Sequence, residues 1–191
     1  MNNTTNIMIV GVGGQGTLLA SRILGNAVIR MGYDVKVSEV HGMSQRGGSV
    51  VTYIKYGDKV FSPIIDNGEA EIVLAFELLE AYRALPALKK DGRLIVNDQR
   101  INPMPVITGA AQYPENILEK LSAKVDTTAV DALALATEAG SFKAVNVVLI
   151  GVMAKSTNIP YEVWIDTIRD TVPSKFLDVN IKAFELGYGA K

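Results

Sequence analysis

Ile7-Met8-Ile9-Val10-Gly11-Val12-Gly13-Gly14-Gln15-Gly16 is the stretch whose reading decides the fold. Four apolar residues in a row lead into a turn that holds four glycines. From Thr17 onward Ala20, Ile23/Leu24, Ala27/Val28 and Met31 recur at helical spacing, so the segment reads as strand, glycine turn, helix. The spacing Gly11-x-Gly13-x-x-Gly16 also fits the dinucleotide-binding fingerprint. Glycine suits such a turn because the backbone can pass through positive φ and come close to a neighbour. Its N–H groups and the positive end of the following helix can then face an anion. Taken alone, the motif leaves three readings open: a tight turn that binds nothing, a bound phosphate-bearing group, or the surface of a partner subunit.

Working outward, Gly32 closes the first helix and Asp34 to Ser38 reads as a second strand. The segment Val40 to Gly48 then breaks all periodicity. Ser49 to Lys55 alternates and is rich in β-branched and aromatic residues, which makes it a strand. Tyr56-Gly57-Asp58 reads as a hairpin turn into Lys59-Val60-Phe61, so an antiparallel hairpin enters a mainly parallel sheet. Glu71 to Phe76 has the composition of a strand buried on both sides, Leu78 to Ala84 is a short helix, and Arg93 to Asn97 is another strand. Asn102 to Pro114 holds three of the seven prolines and is a long connection or edge segment. Pro114 opens a helix to Leu121, Lys124 to Asp126 is a short strand, and Asp131 to Ala139 is a helix ending at Gly140. Lys143 to Lys155 is apolar nearly all round and is a buried helix. Tyr161 to Arg169 and Lys175 to Gly187 are amphipathic helices. Alternating strands and helices without a linker or repeat predict one domain over residues 1–191: a three-layer α/β/α, Rossmann-like fold whose mainly parallel sheet is mixed.

Composition narrows the function. The chain of 191 residues is 48% apolar and 20% charged with a net charge of −1, which fits a globular domain. No basic run marks a nucleic-acid face, no apolar run is long enough to span a bilayer, and the polar N-terminus lacks the form of a signal peptide. The expected location is cytoplasmic. Cysteine is absent and His41 is the single histidine. The chain therefore offers no thiolate for an iron–sulfur cluster and no multi-histidine metal site. It is poorly equipped for chemistry on its own.

In open α/β sheets ligands bind beyond the carboxyl ends of the strands, so the Gly11–Gly16 turn and the loop from His41 to Gly48 should meet there. The second loop holds His41, Ser44, Gln45, Arg46, Gly47 and Gly48. Its guanidinium suits bidentate capture of a carboxylate or phosphate, and its glycines allow close approach of another backbone. The alternative is a surface loop whose Arg46 pairs internally. Glu39 lies where a dinucleotide-binding domain carries its ribose-binding acid, but a second helix cannot readily be written through Gly42, Gly47 and Gly48. Asn146 inside a buried helix should find an internal hydrogen-bond partner. Trp164 is most simply core. Glu69/Glu71 and Glu77/Glu80 are expected to be caps and solvated element ends.

The runs Gly11 to Ser21 and Ser38 to Val50 together resemble the gamma-type subunits of 2-oxoacid:ferredoxin oxidoreductases. Within that family the branch most similar is the beta-type subunit of indolepyruvate ferredoxin oxidoreductases. Further matches are Ala75-Phe76-Glu77, Val96-Asn97 and Lys143 to Leu149, so the resemblance spans almost the whole chain. It implies a complex that oxidatively decarboxylates a 2-oxoacid to an acyl-CoA, using thiamine diphosphate with magnesium, iron–sulfur clusters and coenzyme A, and passing electrons to ferredoxin. This chain lacks the Gly-Asp-Gly motif of thiamine-dependent enzymes as well as cysteine, so the resemblance places thiamine and clusters on a larger partner subunit. Catalytic residues are then expected on that partner and none here, with no metal or cofactor held by this chain alone. Gly11, Gly13, Gly14, Gln15 and Gly16 together with His41 and Ser44 to Gly48 would face the partner or the coenzyme. Pyruvate and 2-oxoglutarate complexes share these motifs, a small NAD- or flavin-dependent oxidoreductase is the other enzyme class, and a homodimer of the isolated chain stays open.

Overall fold

The computed structural model describes residues 4–42 and 47–190. A six-stranded sheet has the order β2-β3-β1-β4-β5-β6, formed by Thr4–Val12 (β1), Asp34–His41 (β2), Ser49–Gly57 (β3), Ala70–Ala75 (β4), Leu88–Asn97 (β5) and Asp126–Val130 (β6). The pairs β1–β4, β4–β5 and β5–β6 are parallel, whereas β3 is antiparallel to both β1 and β2. Five strands thus point one way and β3 alone runs back. The sheet is mixed, as expected.

The hairpin is not where the sequence suggested. It joins β2 to β3 through residues 42–48, and Lys59-Val60-Phe61 forms no strand. The reason is that β3 already has a neighbour on each side, so no ladder edge remains for the chain that leaves it. Val60 instead donates its N–H to the Asp34 carboxylate (2.8 Å). Val40 and His41, expected in the loop, extend β2 because they pair with Val51 and Val50.

The period of two along each strand sorts side chains to two cores. Ile7, Ile9, Ile54, Leu74 and Ile95 face one side and Met8, Val10, Val73, Leu94 and Val96 the other. The first face is covered by α1 (Thr17–Arg30) and, after the sheet is complete, by α5 (Ala132–Ala139), α6 (Val145–Ala154), α7 (Tyr161–Thr171) and α8 (Leu177–Gly189). The second carries the shorter α2 (Leu78–Ala84) and α4 (Ile117–Ser122), with α3 (Met104–Ile107) on the connection between β5 and α4. Helix α1 ends as its sequence implies. Gly32 takes φ 83°, its N–H bonds Ile29 O, and Tyr33 N–H reaches back to Val28 O, satisfying the last carbonyls.

Helix α6 is buried from Asn146 to its end, so it must be packed on all sides there. Against α8 the two backbones touch: a Cβ on Gly187 would fall inside contact distance of the Val148 carbonyl, and one on Gly151 would do the same to Phe184. Trp164 is fully buried beside Phe184, the core role expected of it.

The proline-rich 102–114 segment is the long connection and not the edge alternative, holding only the four-residue α3. Two local expectations need correction. Helix α4 starts at Ile117 and not near Pro114, because Tyr113 is buried with its hydroxyl on Glu77 and Asn116 takes φ 54° to enter the helix. The last strand lies at Asp126–Val130, displaced from the Lys124–Asp126 reading, since Asp126 to Val130 are the residues that find partners on β5. Among the described residues no helix is long and apolar enough to cross a membrane.

Candidate functional site

Strand direction brings four connections to one edge of the sheet: the glycine turn after β1, the loop 42–48 between β2 and β3, and the segments that follow β4 and β5. The first two do meet. Gly13 N–H donates to Gly48 O (2.8 Å), and Gly47 N–H donates to Gly13 O (3.3 Å). Of the candidate residues, Gly11, Gly13, Gly14, Gln15, Gly16, Gly47 and Gly48 are therefore gathered in one place. Ser44, Gln45 and Arg46 lie outside the described residues. His41 ends β2 at the same edge, its backbone paired with Val50.

The glycines of the turn do different work from one another. A Cβ on Gly11 would press on Gln15 Oε1, Phe76 Cβ and Thr17 Cγ2 at 2.9, 3.0 and 3.2 Å. One on Gly16 would sit 2.7 Å from Asn146 Nδ2. Both positions are thus small to admit protein and not a ligand. Gly14 is the open one, with φ 103° and no atom within 4 Å of where a side chain would start. The turn is also plugged from within. Gln15 accepts the Val12 N–H at its Oε1 (2.7 Å) and donates from Nε2 to Phe76 O (2.9 Å), so its carboxamide bridges the ends of β1 and β4. That gap is where the strand order reverses direction, the crevice a dinucleotide would use. Here a side chain fills it.

Glu39 does not stand beside β1 as a ribose-binding acid would. Strand β3 intervenes, and Glu39 sits on β2 at the outer edge, in weak contact with Thr52 Oγ1 (3.5 Å). It lines a cleft of about 390 Å³ with Gly13, Gly14, Gly16, Thr17, Leu18 and Val50.

On the other side of the turn a second cleft of about 410 Å³ is walled by Ile101, Leu133, Phe142 and Val145, with Gly14–Gly16, Gln99 and Lys143 as its polar groups. Asn97 is the buried hub beneath it. Its Nδ2 donates to Phe76 O (3.2 Å) and Gln99 Oε1 (3.0 Å), and its Oδ1 accepts the first N–H of α5, from Ala132 (3.1 Å). Asn146 ties α6 to the turn by donating to Gly16 O (3.2 Å) and accepting Val147 N–H (3.0 Å), the internal partner expected for it.

Glu77 and Glu80 reveal a miss. Glu77 caps α2, as expected, by accepting Glu80 N–H (2.9 Å), but both acids are buried and not solvated. Glu77 also accepts Ile101 N–H (3.0 Å) and the Tyr113 hydroxyl. Burial, and then this bond to a carboxylate, push the Tyr113 phenol well above its usual range. Glu80 accepts the Ser49 hydroxyl and Arg83 Nη1 (2.6 Å), which anchors the downstream end of the second loop to α2. Glu69 and Glu71 do stay at the periphery, accepting Asp66 N–H and the Asn6 N–H and Lys89 respectively. Composition gave no hint of Asn97 and Gln99 as site-forming residues; only the shared Val96-Asn97 pair marked one of them.

The edge is rimmed by exposed apolar side chains: Leu18 (54%), Val40 (54%), Met104 (64%) and Phe142 (63%). Exposed apolar side chains at an edge that also carries two clefts suit an interaction surface.

Comparison with known proteins gives a consistent picture. The sequence pattern described as pyruvate ferredoxin/flavodoxin oxidoreductase matches residues 6–190. The indolepyruvate oxidoreductase subunit IorB of Thermococcus kodakarensis is 44% identical, over 97% of this chain and 95% of its own length. The common gamma subunit of the pyruvate/ketoisovalerate oxidoreductases of Pyrococcus abyssi is 29% identical, over 91% and 89%. In structure, the gamma subunit of a keto/oxoacid ferredoxin oxidoreductase from Geobacter sulfurreducens superposes with a TM-score of 0.72 at 25% identity, covering 96% of each chain.

Proposed function

The chain belongs to the pyruvate ferredoxin/flavodoxin oxidoreductase family, and from that premise we propose that it is the subunit without thiamine of a 2-oxoacid:ferredoxin oxidoreductase acting on indolepyruvate or a related arylpyruvate. In this reading the complex decarboxylates the 2-oxoacid oxidatively, forms an acyl-CoA and hands two electrons on to ferredoxin. The observation that carries the reading is the joined pair of glycine loops at a sheet edge ringed by uncovered apolar side chains.

The residue types of this chain support a division of labour between subunits. Without cysteine it cannot ligate an iron–sulfur cluster through thiolates. Among the described residues no three His, Asp or Glu side chains converge to hold a metal ion, and the sequence has no Gly-Asp-Gly segment for thiamine-bound magnesium. In this reading thiamine diphosphate, magnesium and clusters belong to a larger partner subunit, through which ferredoxin is reduced. Coenzyme A does fit: Gly14 leaves its surroundings open, α1 directs its amino end to the turn, and Lys143 stands at the cleft. When bound, the coenzyme supplies the thiol that takes the acyl group. This chain's part is to receive its anionic groups, exclude water with Leu133 and Phe142, and dock the partner. The sequence also supplies a cation, Arg46, in the loop that joins β2 to β3.

The test is reconstitution. The isolated chain should show no 2-oxoacid oxidation, and mixing with the thiamine-bearing subunit should restore coenzyme A-dependent reduction of ferredoxin. Arg46→Ala should weaken assembly or raise the KM for coenzyme A by about tenfold, the effect of one lost charge-assisted bond. Turnover by the chain alone, or no association with that subunit, overturns the proposal; unchanged assembly and kinetics remove Arg46 from it.

A further inference from the structure

The three carboxamides of Gln15, Asn97 and Gln99 form a closed set whose orientations follow from the backbone groups they meet. Val12 N–H can only donate, so Gln15 must turn its oxygen to it and its NH2 toward Phe76 O and Gln99. Ala132 N–H can only donate, so Asn97 likewise turns its oxygen there and its NH2 toward Phe76 O and Gln99. Two donors therefore converge on Gln99, at 3.3 Å from Gln15 and 3.0 Å from Asn97, and Gln99 must meet them with Oε1. Its own NH2 is left pointing away from the network. It has no acceptor among the described residues, and Gln99 lines the 410 Å³ cleft between the glycine turn and Lys143.

We propose that Gln99 is a ligand-selecting residue: it presents a locked N–H donor to an acceptor oxygen, phosphate or carbonyl, of the molecule seated in this cleft. This rests on the coenzyme reading above and adds the group that orients the ligand there. The donor is held before any ligand arrives, so little rotamer entropy is lost on binding. Its neighbours are complementary: the ammonium of Lys143 favours an anion, and Ile101, Leu133, Phe142 and Val145 supply an apolar wall for a flat or aliphatic portion. A ligand offering only donors at that point would leave the NH2 opposed and would be refused.

The geometry permits a one-atom test. Gln99→Glu keeps an oxygen for Gln15 and Asn97 and replaces only the cleft-facing NH2 by a carboxylate oxygen. Gln99→Met removes the acceptor as well and leaves both neighbours' donors short of a partner. In the reconstituted complex, with coenzyme A as probe, the expected KM order is wild type, then Met, then Glu. The Glu variant should be raised by at least about tenfold, with kcat at saturation changed by no more than about twofold. Thermal stability should follow the other order, with Glu near wild type and Met below both. A purely structural Gln99 would put Met last in both measurements and leave the Glu variant's KM unchanged; that result overturns the inference. If the wild-type chain does not assemble with a thiamine-bearing subunit, the functional reading itself has failed. The same comparison is then read from the thermal shift that coenzyme A produces on the full chain, where equal shifts for wild type and Gln99→Glu count against Gln99.

Discussion

Glycine is used in opposite ways at the crossing of α6 and α8 and in the turn after β1. At the crossing Gly151 and Gly187 are absent side chains: each lets one helix backbone rest on a carbonyl of the other, and nothing but protein comes near. In the turn, Gly11 and Gly16 do the same for Gln15 and Asn146, whereas Gly14 faces empty space in a conformation that L residues rarely adopt. A motif written only as glycine spacing cannot separate these uses. The lesson is that Gly11 and Gly16 of the fingerprint are committed to protein contacts, whereas the open glycine is Gly14, which stands between the fingerprint positions.

That contrast can be broken by adding one methyl group at a time. Gly187→Ala should have the largest effect, a loss of about 3 kcal/mol or more, because the Val148 carbonyl cannot retreat without separating two buried helices. Denaturant unfolding of the purified chain reads it; a loss under about 1 kcal/mol would mean the crossing is looser than described. Gly16→Ala should cost about 2 kcal/mol, from its φ of 83° and from displacing the Asn146 amide. It should weaken α6 docking as well as the site, so a variant with unaltered stability would show that Asn146 moves freely. Gly14→Ala should have the smallest effect on stability, about 1 kcal/mol of backbone strain, and yet should raise the coenzyme A KM of the complex. Equal KM values for wild type and this variant would place the ligand away from the turn and sharpen the comparison against the proposed site.

Much of the fold was legible because burial imposes period. The Ile7–Val10 run, the α1 stripe and the almost wholly apolar α6 each had one arrangement that removes their surface from water. Asp131 and Gly140 bounded α5 as their cap chemistry requires. The misplaced hairpin fails on different grounds. Tyr56-Gly57-Asp58 is a good turn by local chemistry, but whether a strand follows depends on a free sheet edge, which no local window contains. Glu77 and Glu80 were misread for a related reason. A carboxylate in sequence looks solvated until the donors that make its burial tolerable arrive from residues 49, 101 and 113.

By itself, then, the amino-acid order determined the three-layer class, the meeting of two glycine loops at one sheet edge, and the absence of thiolate or multi-histidine chemistry, because composition and periodicity act residue by residue. Only the tertiary structure decided that Gln15 closes the dinucleotide crevice, that Asn97 and Gln99 complete an amide network below a cleft, and that β3 stands between β1 and the strand that carries Glu39. Hydrogen-bond direction is the physical reason: a carboxamide can face either way, and the choice is made by backbone donors and acceptors that come from distant parts of the chain.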